Sequence, residues 1–349
     1  MHIKRNLPPL MIIGFLLLLM GAYIVIKLHS LGVFTKIGPE NNPKVEVLAT
    51  VPGPEDLEID REQGILFFIS NDPCAGFPEP GGIFYLYLNS NALQAVEFQF
   101  ESPQDFHPHG LSYFRENHHQ YLFTNNHRTD GTHTVEIFKI SGDNRLEHQL
   151  TVKGPELTSP NDLAAAGPRQ FYVTNDGRSH DRFTRSVDTF LGRKTGNILF
   201  YDGNKFIKVV DNLFFPNGIA LNSERNELYA AETLSGKIYS YQLAGNYHLQ
   251  NVDNFYIQKG IDNINLDAEG DLIASIHPNL WALSRHMQDP QKRSPSRVIH
   301  IDSDSKRIQM LYQHSGTEIS GVSSAVSYNG SLYLGAVCDH KLVKLTIDD

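Results

Sequence analysis

The chain has 349 residues, 40% hydrophobic and 20% charged, enough to bury a large core. Thirty Lys and Arg stand against 39 Asp and Glu, for a net charge of −9. With no basic run interleaved with aromatic residues, that balance excludes the electrostatic footprint of a nucleic-acid binder.

Lys4 and Arg5 precede an apolar run from Leu10 to Ile26, closed by Lys27. A helix of about 17 apolar residues reaches the lower limit for crossing a bilayer. The run is long for a signal peptide and no clear small-residue cleavage site follows it, so residues 10–28 read as a signal anchor. Basic residues before the span put residues 1–9 in the cytoplasm and the remainder outside. The alternative is a cleaved secretory signal and a secreted product. Residues 29–43, with Gly and Pro and no clear periodicity, read as a linker.

From residue 44 to 349 the apolar segments are short, alternating, and rich in β-branched and aromatic residues. Val45 to Val51, Thr134 to Ile140, Asn197 to Tyr201, Lys237 to Leu243 and Ser331 to Val337 are examples. They predict strands bounded by turns such as Asp202-Gly203-Asn204. Six dipeptides recur roughly every fifty residues, each followed by an aliphatic residue. They are Glu55-Asp56-Leu57, His109-Gly110-Leu111, Asn161-Asp162-Leu163, Asn217-Gly218-Ile219, Asp262-Asn263-Ile264 and Ser320-Gly321-Val322. A repeat of that length, with room for about four strands, predicts an all-β six-bladed propeller. Arg178 to Lys194 and Trp281 to Ser296 break the strand rhythm and suit short helices or lids on one face. Cys74 and Cys338 fall in the first and last repeats, which ring closure makes neighbours; a disulfide and two buried thiols are both open.

Equivalent positions of a propeller point at one axis. The first positions, with Asn263, therefore gather Glu55, Asn161, Asn217, Asp262 and Asn263, an all-oxygen set with two carboxylates that suits Ca²⁺. Asp56 and Asp162 point the other way along their strands and suit a second, deeper ion with a backbone carbonyl. His109 sits in the first ring with His127 placed to stand behind it, a workable general base for water. A zinc site from His107, His109 and His127 is a weaker alternative, because the spacing matches no compact ligand pattern. Thr174-Asn175-Asp176 and His277-Pro278-Asn279 follow second strands, so Asp176 and His277 are expected to line the pocket or support its ligands. No phosphate loop, serine elbow or matched Cys nucleophile is visible, leaving a metal-activated water as the natural nucleophile.

Together these residues resemble the paraoxonase (arylesterase) family of propellers over about Val45 to Leu345. The match rests on Glu55-Asp56-Leu57-Glu58-Ile59, Pro108-His109-Gly110-Leu111-Ser112, Asn126-His127, Asn161-Asp162-Leu163, Asn217-Gly218-Ile219 and Asp262-Asn263-Ile264 before His277-Pro278-Asn279. The resemblance implies calcium-dependent opening of lactones, with action on aryl esters and sometimes organophosphate triesters. It implies Glu55, Asn161, Asn217, Asp262 and Asn263 as ligands of a catalytic calcium. It likewise implies Asp56, Asp162 and the carbonyl of Leu111 as ligands of a structural one, and His109 with His127 as a dyad. Asp262 is an alternative base or nucleophile. Ile276 stands where animal members carry a free cysteine and Gly177 where they carry a further histidine, and their disulfide positions are not Cys here. Two rival readings remain: a sugar lactonase of gluconolactonase type, and a non-catalytic calcium-stabilised propeller binding module. The expected partners are a small lactone or ester and the membrane; the oligomeric state is left open.

Overall fold

A computed structural model describes residues 9–38, 44–142, 144–179, 181–245 and 248–346. Residues 1–8 of the expected tail and 39–43 of the expected linker lie outside them. Six four-stranded antiparallel sheets follow one another around an axis, as the repeat predicts. The innermost strands are Leu57–Asp60, Pro108–Glu116, Pro160–Gly167, Pro216–Asn222, Ile261–Leu266 and Val322–Tyr328.

Each blade is half of two cores. On Gln170–Asn175 of blade three, Phe171 and Val173 pack into a cluster shared with blade two, while Tyr172 packs into one shared with blade four. Alternation of side chains along a strand sends successive residues to opposite faces, so a strand between two blades is buried on both. Six such clusters fill the six gaps between blades. Ring closure uses two devices. Val45–Ala49 becomes the outer strand of the last blade by pairing with Leu342–Thr346, and Cys74 is bonded to Cys338, resolving the alternative left open by the sequence.

Four of the six dipeptides occupy register shifts, and Glu55-Asp56 leads directly into its strand. Pairing slips by one residue between Pro108 and Leu111, Pro160 and Leu163, Pro216 and Ile219, and Ile261 and Ile264. A bulge of this kind re-aims the two residues inside it toward the axis. Glycine takes the second position where neighbouring blades touch: a Cβ on Gly218 would lie 2.5 Å from the Ile264 nitrogen, and one on Gly110 2.7 Å from the Asn161 carbonyl. In the last blade the shift lies between Val322 and Ser324. Ser323 and Ser324, not Ser320 and Gly321, therefore hold the sixth ring position. The Ser323 hydroxyl donates to the Glu55 carbonyl at 2.6 Å, and the Leu57 amide to the Ser324 hydroxyl at 3.3 Å.

Three helices flank the sheets. The apolar N-terminal helix α1 spans Pro9–Ser30, two residues past the expected end, and its apolar side chains are exposed. It is long and apolar enough to cross a membrane. The two rhythm-breaking segments form α2 (Arg182–Leu191) and α3 (Leu280–Gln288). Asp181 caps α2 by accepting the Thr184 amide, and Asn279 caps α3 by accepting that of Ala282. Residues after α1 are not a free linker: the Leu280 amide donates to the Leu31 carbonyl at 2.9 Å, and Tyr23 donates to the Phe190 carbonyl at 2.6 Å. The end of α1 thus packs on the face that carries α2 and α3.

Candidate active site

The bulges bring the first-position residues together at one end of the channel. Glu55, Asn217, Asp262 and Asn263 are each under a tenth exposed, and Asn161 is half-buried. The Asn217 amide donates to one Asp262 oxygen at 2.5 Å, and the other Asp262 oxygen meets His277 Nε2 at 2.6 Å. Asn217 Oδ1 is buried with no hydrogen-bond partner. A buried amide oxygen left unsatisfied costs about 1–3 kcal/mol, so its presence in a ring of carboxylates and amides fits a hard cation as the missing partner.

Below this layer, Asp56 and Asp162 point into the channel. Asp56 accepts the amides of Leu57 and Leu111, at 2.9 and 2.7 Å; Asp162 accepts those of Leu163 and Ile219, at 2.7 and 2.8 Å. Among the described residues, no cationic side chain meets either carboxylate. Burial pushes Asp56 up to about 7 and Asp162 well above the usual carboxylate range, each raised further by a neighbouring carboxylate. Glu58, one strand pleat further, rises to about 8 by the same desolvation. Each carboxylate oxygen keeps a second lone pair, and the set fits a buried divalent cation. Leu111 lies here too, its amide rather than its carbonyl touching Asp56.

The histidines arrange themselves differently from a simple relay. His109 and His127 pack with ring centroids 4.7 Å apart and planes tilted by 35°, yet His109 Nδ1 bonds Glu55 at 2.8 Å and His127 Nε2 bonds the Pro160 carbonyl at 2.7 Å. Glu55 orients His109, while His127 supplies a neutral wall. Burial works to lower the His109 pKa, but the Glu55 carboxylate outweighs it and holds the group at about 9. His127 is held well below its ordinary value by burial and by His109. His107 turns away to Asp105 at 2.9 Å and Asn71 at 3.4 Å, so the three-histidine zinc alternative does not form. His277 supports Asp262 from a buried position and does not itself line an open pocket.

Asp176 lies beside the ring, its Oδ2 3.5 Å from the Asn161 amide nitrogen. Its main partner was missed from sequence: Arg185 of α2 donates to the same oxygen at 2.6 Å. Ser323 was missed as well. Asp267, Asp271 and His300 form a separate group at the opposite end of blade five, with ligand atoms within 4.8 Å of one another.

The sequence profile of the arylesterase family matches residues 73–344. The chain belongs to the arylesterase family. Serum paraoxonase/arylesterase 1 of Mus musculus is 32% identical to it, over 88% of this chain and 90% of the mouse protein. A luciferin-regenerating enzyme has a similar fold, with TM-score 0.56 and 13% identity over 87% of this chain and 95% of that one. Regucalcin of Agrobacterium tumefaciens, described as a calcium-binding protein, gives 0.55 and 14% over 87% and 94%. At such identities the two structures speak for the propeller alone.

Proposed function

We propose that this protein is a calcium-dependent hydrolase that opens lactones and cleaves aryl esters. The observation that carries the reading is the buried ring in which Asn217 Oδ1 lacks a partner beside Asp262, with His109 on Glu55 at its edge. Membership of the arylesterase family supports the reaction class. Glu55, Asn161, Asn217, Asp262 and Asn263 hold the catalytic calcium; Asp56, Asp162 and the Leu111 carbonyl hold a structural one. Bound there, such an ion would supply Lewis-acid polarisation of an ester carbonyl and would offset the charge of Glu55, which otherwise keeps His109 protonated.

The chain's own residues do the rest. The Glu55 bond to Nδ1 fixes the His109 ring and leaves Nε2 as the nitrogen that takes a proton from the attacking water. His127, held neutral against Pro160, packs on His109 without competing for that proton. His277 and Asn217 clamp both oxygens of Asp262, keeping it a ligand; that double engagement disfavours Asp262 as the base. Ring opening then releases a hydroxy acid.

In the same reading α1 is an anchor, residues 1–9 are cytoplasmic and residues 44–349 form the catalytic domain outside. Exposure of the apolar α1 surface supports the anchor, and the Cys74–Cys338 disulfide supports an oxidising compartment. The test is turnover of a neutral γ-lactone and an aryl ester with calcium, after chelation, and after calcium is restored. Loss on chelation with recovery is expected. Full turnover by metal-free protein would overturn the calcium dependence, and no turnover with calcium would overturn the reaction.

A further inference from the structure

A narrow cleft with about 20 Å³ of solvent-accessible space opens between α2 and the propeller face, beside the ring. That is room for about one water or the tip of a small polar group, not for a whole substrate, so a ligand would meet chiefly the rim. Its charged lining is Asp176, Arg178, Arg185, Asp188 and Arg193, three guanidiniums against two carboxylates in a chain of net charge −9. Arg178 meets both oxygens of Asp188, at 2.7 and 3.2 Å, and Arg193 shares one of them at 3.2 Å. Two cations on one anion leave a charge over. Arg185 donates to Asp176 at 2.6 Å and to the Ser159 hydroxyl at 3.2 Å, with its guanidinium 5.1 Å from the Phe215 ring centroid. A guanidinium carries five N–H donors, so this one keeps several unused, and its side chain is 32% exposed. Gly177 adds no side chain to the cleft: a Cβ there would meet nothing nearer than 3.8 Å.

The cleft is joined to the chemistry through Asp176, which touches Arg185 on one side and Asn161 of the ring on the other. A substrate whose carbonyl sits on the ring therefore has a cationic recess within reach of its far end. We infer that this recess is an anion subsite, and that the preferred substrate is a lactone or ester bearing a carboxylate remote from the bond that breaks. The inference rests on the hydrolase reading above and adds the substrate class. A planar, forked donor facing a carboxylate is the pairing in which arginine outperforms lysine.

The experiment compares γ-butyrolactone-γ-carboxylate with its neutral methylamide, using the full chain in detergent with calcium. The wild type should favour the carboxylate in kcat/KM, and 0.5 M NaCl should erode that preference. Arg185→Gln should lower the carboxylate-to-amide ratio about tenfold, mostly through KM, with partial recovery in Arg185→Lys. Arg193→Gln, beyond the end of α2, should lower the same ratio about threefold, which covers the case in which loss of Arg185 disorders the helix. A ratio unmoved by either variant, or insensitive to salt, would overturn the subsite. Binding of cyclopentanecarboxylate against its carboxamide, measured by calorimetry, asks the question without turnover. Equal binding of the two overturns the subsite, even if hydrolysis itself fails for other reasons.

Discussion

The two layers of the channel are built from adjacent residues yet live in opposite electrostatic worlds. In the upper layer Glu55 and Asp262 face imidazoles, His109 at 2.8 Å and His277 at 2.6 Å. In the lower layer Asp56 and Asp162 face backbone amides in a dry interior. The two residues of a dipeptide both face the axis, one above the other, so a single dipeptide supplies both environments. The upper layer has imidazoles and access to substrate, which suits chemistry; the lower has carboxylates closed in by backbone amides, and suits holding.

Removing divalent cations should strike both layers at once and is the largest expected effect. Dialysis against a chelator should abolish lactone turnover and lower the melting temperature, and calcium should restore both. Activity returning at a lower calcium concentration than is needed to restore the melting temperature would break the assignment, because the deeper, drier site should fill first.

His109→Gln separates the layers. In the calcium-loaded protein it should lower kcat by about 10² while leaving the melting temperature nearly unchanged, since the ion would then balance Glu55 in place of His109. Unchanged turnover at saturating substrate would move the base elsewhere. The mirror experiment is Asp162→Asn, which should shift the melting temperature by the equivalent of about 1–3 kcal/mol, as for loss of charge-assisted hydrogen bonds to buried amides. The folded fraction should keep most of its kcat. A fall in kcat with no change in melting temperature would make the lower layer catalytic.

How far this division could be read from sequence depended on whether the signal was local. The bulged dipeptides are local: two polar residues before an aliphatic one, repeated, mark the axis without any knowledge of packing. The sixth failed because Ser320-Gly321-Val322 copies the pattern three residues ahead of the bulge, and small hydroxyl residues give no compositional warning of which pair faces inward. His109 and His127 were legible as neighbours, but their hydrogen-bond partners were not. One is a carboxylate from another blade and the other is a backbone carbonyl, which no residue type announces. Arg185 was hidden for a related reason, since its contact with Asp176 depends on how α2 docks on the face. The disulfide lay between these cases: ring closure made the two cysteines neighbours, and geometry decided the bond.

A smaller effect sharpens the comparison through pH. In the metal-free protein Asp56 has its folded pKa raised from 3.8 to about 7 by burial, and His109 has its own raised from 6.5 to about 9 by Glu55 outweighing burial. A raised folded pKa means that the folded state holds the proton more tightly than the unfolded chain does. That contribution is complete below the unfolded pKa and is lost as pH climbs through the folded one. The two windows, roughly pH 4 to 7 for the lower layer and 6.5 to 9 for the upper, run in the same direction. Chelated protein should therefore lose stability steadily from pH 4 to 9, measured by denaturant midpoints. Asp56→Asn should remove the lower window and His109→Gln the upper. Calcium should flatten both, because a cation takes over the role of the proton at each carboxylate. A metal-free protein that grows more stable between pH 5 and 7 would mean that Asp56 finds a cationic partner in solution, and the lower layer would then need no ion.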